Sequence, residues 1–222
     1  MSGMCKIPVS FQKKLAALAA VFFTAANLHV FAATAFIKLE GCHLIPKSAN
    51  DGDSFHVRSK ADEYIFRLYF VDAPETDKEF PDRVKEQAKY FGITPEQAVQ
   101  IGKEAAAFTR SKLAGKSFTV FTRWQDAMGR SKLPRYYAFI VVDNNQSLAE
   151  LLVANGLARI FGTPAIAPNG QAPAAFIAHL RVLETKAKHD HLGAWSVNAT
   201  KMGAKTDDDW NSIFQKRTAP AQ

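Results

Sequence analysis

Between Ser54 and Asp72 the chain carries two β-forming runs, Ser54–Ser59 and Glu63–Asp72, with only Lys60-Ala61-Asp62 between them. Runs so short, with so brief a connection, read as neighbouring strands. In the second run Phe66, Leu68 and Phe70 fall on one face, while Ile65, Arg67, Tyr69 and Val71 fall on the other. The all-apolar face is expected to point into a core, leaving Arg67 on a wetter face. Carboxylates flank this unit, with Asp51-Gly52-Asp53 just ahead of the first strand and Asp72 closing the second. If the strands are neighbours, Asp53 and Asp72 converge. Pro74 turns the chain after Ala73, so the Ala73 carbonyl is a further candidate oxygen ligand. Carboxylate and carbonyl oxygens are what calcium and magnesium prefer.

The rest of the chain alternates short strands with helices. Pro81 to Phe91 places Val84, Ala88 and Phe91 at helical spacing. Thr94-Pro95-Glu96-Gln97 is a capping box with proline at the first helical position, and Gly115 offers the stop. Lys116–Trp124 and Arg135–Asp143 read as strands, and Asp143-Asn144-Asn145 as a turn. Ser147-Leu148-Ala149-Glu150 opens a helix that closes at Gly156, followed by a short strand over Leu157–Phe161. A Gly/Pro/Ala loop over 162–173 leads to a last helix through Phe176, Leu180, Leu183 and Ala187, ending near Gly193-Ala194-Trp195. Short strands followed by helices in one unit predict an α+β fold, a small barrel carrying helices.

The first 35 residues have a different grammar. Lys6, Lys13 and Lys14 precede an apolar run from Leu15 to Ala26, and small residues end at Phe31-Ala32-Ala33-Thr34-Ala35. This is the pattern of a secretory signal peptide over residues 1–35, cut after Ala33 or Ala35, or after Val30-Phe31-Ala32. A retained membrane anchor competes with that reading, although the run is short for a span of about 20 apolar residues. The domain is then 36–196, and 197–222 is a polar, loose tail containing Asp207-Asp208-Asp209. Loss of 1–35 leaves 25 basic against 21 acidic residues, so the formal net charge falls from +7 to +4. That modest excess is compatible with a polyanionic partner. Cys5 leaves with the signal and Cys42 stays alone, so a core rather than a disulfide framework must hold the fold. Leu39-Glu40-Gly41-Cys42 faintly resembles a lipoprotein attachment box, but Lys38 and Glu40 interrupt its apolar approach, and a buried or idle thiol is expected.

Asp53, Asp72 and Glu75, with Arg67 and Arg130, supply carboxylates and guanidiniums at element ends. That inventory suits holding a divalent cation against a phosphodiester. An EF-hand fails, because counting from Asp51 puts His56 at the glycine position and Asp62 at the final glutamate position. His189-Asp190-His191 lacks the further ligands a zinc site wants and reads as surface histidines near a helix end. Arg123, Lys132 and Arg135 extend a basic rim or are solvated strand ends. There is no phosphate-cradling glycine loop and no nucleophilic-serine elbow.

Taken together, Asp51-Gly52-Asp53, Arg67-x4-Asp72-x-Pro74-Glu75, Gly102-x-Glu104-Ala105, Asp126-x-x-Gly129-Arg130 and Leu192-Gly193-x-Trp195 resemble the staphylococcal nuclease (thermonuclease) family. The resemblance covers about residues 36–196. It implies a five-stranded OB-fold barrel packed by helices and a calcium-assisted phosphodiesterase site. By that resemblance Arg67, Glu75 and Arg130 form the catalytic set, and Asp53, Asp72 and the Ala73 carbonyl hold Ca2+. It further implies cleavage of DNA and RNA with low sequence specificity, leaving 3′-phosphates. Single strands should be favoured, since an open barrel cleft meets backbone and base faces. A monomer, secreted or periplasmic and without stable membrane association once the signal is gone, is expected. The competing reading is a nuclease-like module that binds nucleic acid or a protein without cutting.

The chain departs from the family pattern in three places. An extra segment, Phe80–Gly92, lies near the site and would lid the cleft, shape substrate access or do nothing. Ala127 and Met128 stand where the family archetype has a lysine and a tyrosine that contact nucleotide. Past Leu157 an expected tyrosine pair is missing, and Phe161 is the only nearby aromatic. Base stacking supplies about 1–3 kcal/mol per base, so weaker or altered substrate binding is expected before loss of cleavage.

Overall fold

The computed structural model describes residues 35–129 and 133–197. Strand β1 (Ile37–Leu44) is followed by β2 (Ser54–Ser59), β3 (Asp62–Leu68) and the two-residue β4 (Val71–Asp72). Helices α1 (Pro81–Phe91) and α2 (Pro95–Leu113) lead to β5 (Phe118–Asp126) and β6 (Arg135–Val142). A 3-10 turn over Asp143–Asn145, β7 (Gln146–Ser147), α3 (Leu148–Ala154), β8 (Arg159–Ile160) and α4 (Pro173–His189) complete the domain. The strands run β3-β2-β1-β5-β6, and β6 returns to pair with β3, closing a five-stranded mixed barrel. The closing pair is parallel, with Phe66 opposite Tyr136 and Leu68 opposite Ala138. Phe55, Val57, Phe66, Leu68, Val120 and Ile140 are each at most 1 % exposed and form its apolar filling.

Local sequence accounts for most element ends. Thr94 accepts the Gln97 backbone N–H at 3.2 Å while the Gln97 side chain accepts the Thr94 N–H at 2.9 Å, so the capping box is closed in both directions. Gly92, at φ 70°, ends α1 in the left-handed conformation that glycine adopts without steric cost. β1 was not expected from the sequence. Its register shifts between Leu39 and Cys42, around Gly41 at φ 64°, so the two-residue period is lost midway. Cys42 is fully buried there, and its thiol points at the Leu39 carbonyl.

The run expected as one strand over Glu63–Asp72 is two. Phe70 takes φ 67°, and its N–H goes to the Thr163 carbonyl while its own carbonyl accepts from Phe161. The chain thereby leaves the barrel and pairs with β8, Val71 opposite Ile160 and Asp72 opposite Arg159. Asp72 is in this way carried off the barrel surface and under the helices. The Arg67 face is not wet either, since only 12 % of that side chain is exposed. Among the described residues no helix is long and apolar enough to cross a membrane. The expected signal peptide, up to Thr34, and the tail from Asn198 onward lie outside the described residues.

Candidate active site

The site is built where the turn before β2 meets the end of β4. Asp51 Oδ1 accepts the backbone N–H groups of Asp53 (3.0 Å) and Ser54 (2.6 Å), which tightens the turn and aims Asp53 inward. A Cβ at Gly52 would lie 2.7 Å from both the Ala73 and the Ala105 side chains, so only glycine lets this turn press between β4 and α2. Thr109 fixes it from α2 by donating to the Gly52 carbonyl at 2.7 Å. On the far side of the site a Cβ at Gly102 would stand 2.2 Å from the Glu75 carbonyl oxygen and 2.5 Å from that of Pro74. Helix α2 therefore lies directly on the Pro74–Glu75 backbone.

Arg67, in β3, joins the two aspartates. Its Nη2 lies 3.1 Å from Asp53 Oδ2 and 2.6 Å from Asp72 Oδ1. Asp53 Oδ2 also accepts the Ala73 N–H at 3.2 Å. Asp72, wholly buried, is surrounded by donors. Arg67 and Arg83 (2.8 Å) both reach Oδ1, and Gln87 (2.9 Å) and Arg159 (2.8 Å) both reach Oδ2. A carboxylate offers roughly four lone-pair positions, and all are taken. Glu75 keeps 20 % of its side chain exposed, and its Oε1 accepts from Arg83 Nε at 2.6 Å. Gln87, fully buried, clamps the backbone between them. It donates to the Ala73 carbonyl at 3.0 Å and accepts the Glu75 N–H at 3.0 Å.

These surroundings set the protonation states. Burial alone would raise Asp72, but Arg67, Arg83 and the Gln87 amide outweigh it and hold the carboxyl below its usual range. For Glu75 burial wins over the pull of Arg83, so its carboxyl sits above the ordinary value, as suits a base. Burial and the neighbouring Asp53 charge push Asp51 well upward. Asp53, raised by burial, is partly relieved by Arg67. Arg67, facing Asp53 first and Asp72 next, remains firmly charged.

Of the residues singled out in the sequence, Asp53, Arg67, Asp72, Ala73 and Glu75 are brought together, and Arg130 lies outside the described residues, as does Lys132. Three residues of this cluster escaped sequence reasoning: Arg83, Gln87 and Arg159. Arg83 and Gln87 are one helical turn apart and border the Val84-Ala88-Phe91 stripe, and polar groups beside a buried face are the one signal that pointed to them. Arg159 sits in a short apolar strand, where an arginine needs a buried partner. The extra segment, helix α1, is therefore part of the site's wall. Of the other positions singled out, Ala127 is buried and Met128 is 77 % exposed. Phe161 is exposed, with the Arg159 guanidinium 4.3 Å over its ring. Arg123 lies over Phe36 instead of forming a rim, and Arg135 donates to the Met128 carbonyl at 2.9 Å. His189 is a surface side chain beside Asp190.

As arranged, the oxygens assigned to calcium do not fit a cation. Arg67 bridges Asp53 and Asp72, Asp72 has no acceptor position left, and the Ala73 carbonyl is engaged by Gln87. Among the described residues no group of three histidine, cysteine, aspartate or glutamate side chains could hold a metal.

A closed five-stranded barrel, flanked by helices and bearing clustered carboxylates and guanidiniums at its edge, defines an OB-type α+β fold. Residues 65–197 match the family model described as staphylococcal nuclease homologue, and the chain belongs to that family. The match begins inside β3, so the Asp51–Asp53 turn precedes it. The family is one of nucleases in general.

Proposed function

We propose that this protein hydrolyses phosphodiester bonds of DNA and RNA with little sequence preference, favouring single strands and leaving 3′-phosphates. The observation that carries the reading is the position of Glu75, a half-buried carboxylate of raised basicity, in one cluster with Arg67. Glu75 orients an attacking water and takes its proton, and the arginine forks neutralise the charge that grows on the phosphate oxygens. Arg67 fills this role from β3, and Arg130 joins it by the family resemblance. Phosphoryl-type transfer asks mainly for such positioning and charge neutralisation. Calcium belongs to the proposal through the resemblance alone. It would act as a Lewis acid, and the filled oxygens of Asp72 give no support for routing a step through it.

The proposal extends to export, in which residues 1–35 are removed and a monomer is delivered to the periplasm or medium without stable membrane association. The decisive assay is digestion of single- and double-stranded DNA, and of RNA, by protein beginning at Phe36, with calcium and with a chelator. Cleavage with 3′-phosphate ends supports the reading. Retention of strands with no product over long incubation supports the binding-module alternative, which the saturation of Asp72 favours.

A further inference from the structure

Helix α1 puts a positive charge where the family resemblance puts a metal ion. Arg83 lies in its first turn, where Pro81 starts the helix and the side chain projects toward β4. Two different nitrogens of its guanidinium bind two different carboxylates, Nε to Glu75 Oε1 at 2.6 Å and Nη2 to Asp72 Oδ1 at 2.8 Å. A cation shared by Asp72 and Glu75 would want those same oxygens. The helix is not loosely attached. Val84, Gln87, Ala88 and Phe91 are all buried, and Tyr90 hydrogen-bonds Glu184 of α4, so Arg83 is held in place from both ends. With Arg67 and Arg159, it surrounds Asp53, Asp72 and Glu75, three guanidiniums against three carboxylates. Each of these three carboxylates already has a guanidinium within ion-pair distance.

We propose that Arg83 is an internal occupant of the cation position: its guanidinium and a hard divalent cation compete for the same oxygens of Asp72 and Glu75. The proposal rests on the reading above only in treating Asp72 as a ligand of the cation, and it adds Glu75, the base of that reading, as a second carboxylate the cation would reach. The guanidinium is a positioning group for Glu75 and keeps those oxygens from a cation.

Calcium binding to the domain, measured without substrate by titration calorimetry and by the calcium-induced rise in melting temperature, tests it directly. Arg83→Gln and Arg83→Met should both bind calcium at least about tenfold tighter than the wild type, since each removes a full positive charge within ion-pair distance. Arg83→Lys, which keeps a charge but loses the two-pronged geometry, should fall between them and the wild type. Equal calcium affinity in wild type and both neutral variants would overturn the proposal. So would failure of both neutral variants to fold, because the guanidinium would then be a structural strut. Since no substrate is involved, a protein that never cuts nucleic acid refutes the nuclease reading and leaves this result interpretable.

Discussion

Glu75 combines a partly exposed carboxylate with burial that raises its proton affinity above the ordinary 4.5. A general base works only when deprotonated, so kcat/KM should fall about tenfold per pH unit on the acid side, with the break above that ordinary value. Arg83 pulls the Glu75 carboxyl down, and removing its charge should move the break to higher pH. Glu75→Gln should abolish the acid limb altogether, and Glu75→Gln, Arg67→Ala and Arg130→Ala should each lower turnover roughly 100–1000-fold or more. Circular dichroism should show the fold retained in Glu75→Gln. Normal turnover in any one of the three removes that residue from the chemistry. Gly102 makes a different kind of demand. Its Cβ position is already filled by the Pro74 and Glu75 carbonyl oxygens, so Gly102→Ala should cost about 1–3 kcal/mol in denaturant unfolding. It should also reduce activity beyond that loss, because the atoms displaced are those that aim Glu75.

At the scale of elements, α1 gives this site its character, through Arg83 and Gln87. Gln87 contributes three hydrogen bonds to the Asp72–Glu75 segment from full burial. Gln87→Leu keeps the volume but strands the Glu75 N–H and the Ala73 carbonyl, at about 1–3 kcal/mol for each buried group left unpaired. Urea midpoints of the variant and wild type measure this, and an unchanged midpoint would show that the segment is held by α2 alone. The helix itself was legible from its apolar spacing, as α2 was from its capping box and the glycine after it. Its inward polar groups were not. Whether Arg83 faces water or Asp72 depends on how α1 docks, which no spacing within the helix records. β1 and the break at Phe70 were missed for a related reason. A bulge at Gly41 and a left-handed residue at Phe70 interrupt the alternation that identifies a strand, and only pairing to β5 and to the 161–163 segment makes them intelligible. Asp53 and Arg67 were legible because β2 and β3, joined by a short turn, bring Ser54 opposite Arg67, whereas Asp72 reaches them by way of β4.

For the whole molecule, the site depends on residues far apart along the chain. Trp195 packs on Phe91 with ring centroids 5.0 Å apart and is 8 % exposed, while Tyr90 of the same helix reaches Glu184 in α4. Trp195→Ala should destabilise the domain by about 3–5 kcal/mol. It should also loosen α1, seen as faster amide exchange over Pro81–Phe91 than over the barrel strands. Exchange rising equally everywhere would mean that the domain opens only as one unit.

Arg159, which completes the ring of donors around Asp72, is 87 positions further along the chain, and the tryptophan that braces α1 comes later still. A chain that has emerged only as far as Glu75 therefore carries Asp53, Asp72 and Glu75 with Arg67 as their counter-charge, while Arg83 and Arg159 are still to come. Assembly of the reactive centre has to wait until almost the whole domain has emerged. A chain cut short before Trp195 should consequently lose both the brace on α1 and the stability it lends, and with them the ordered cluster around Asp72.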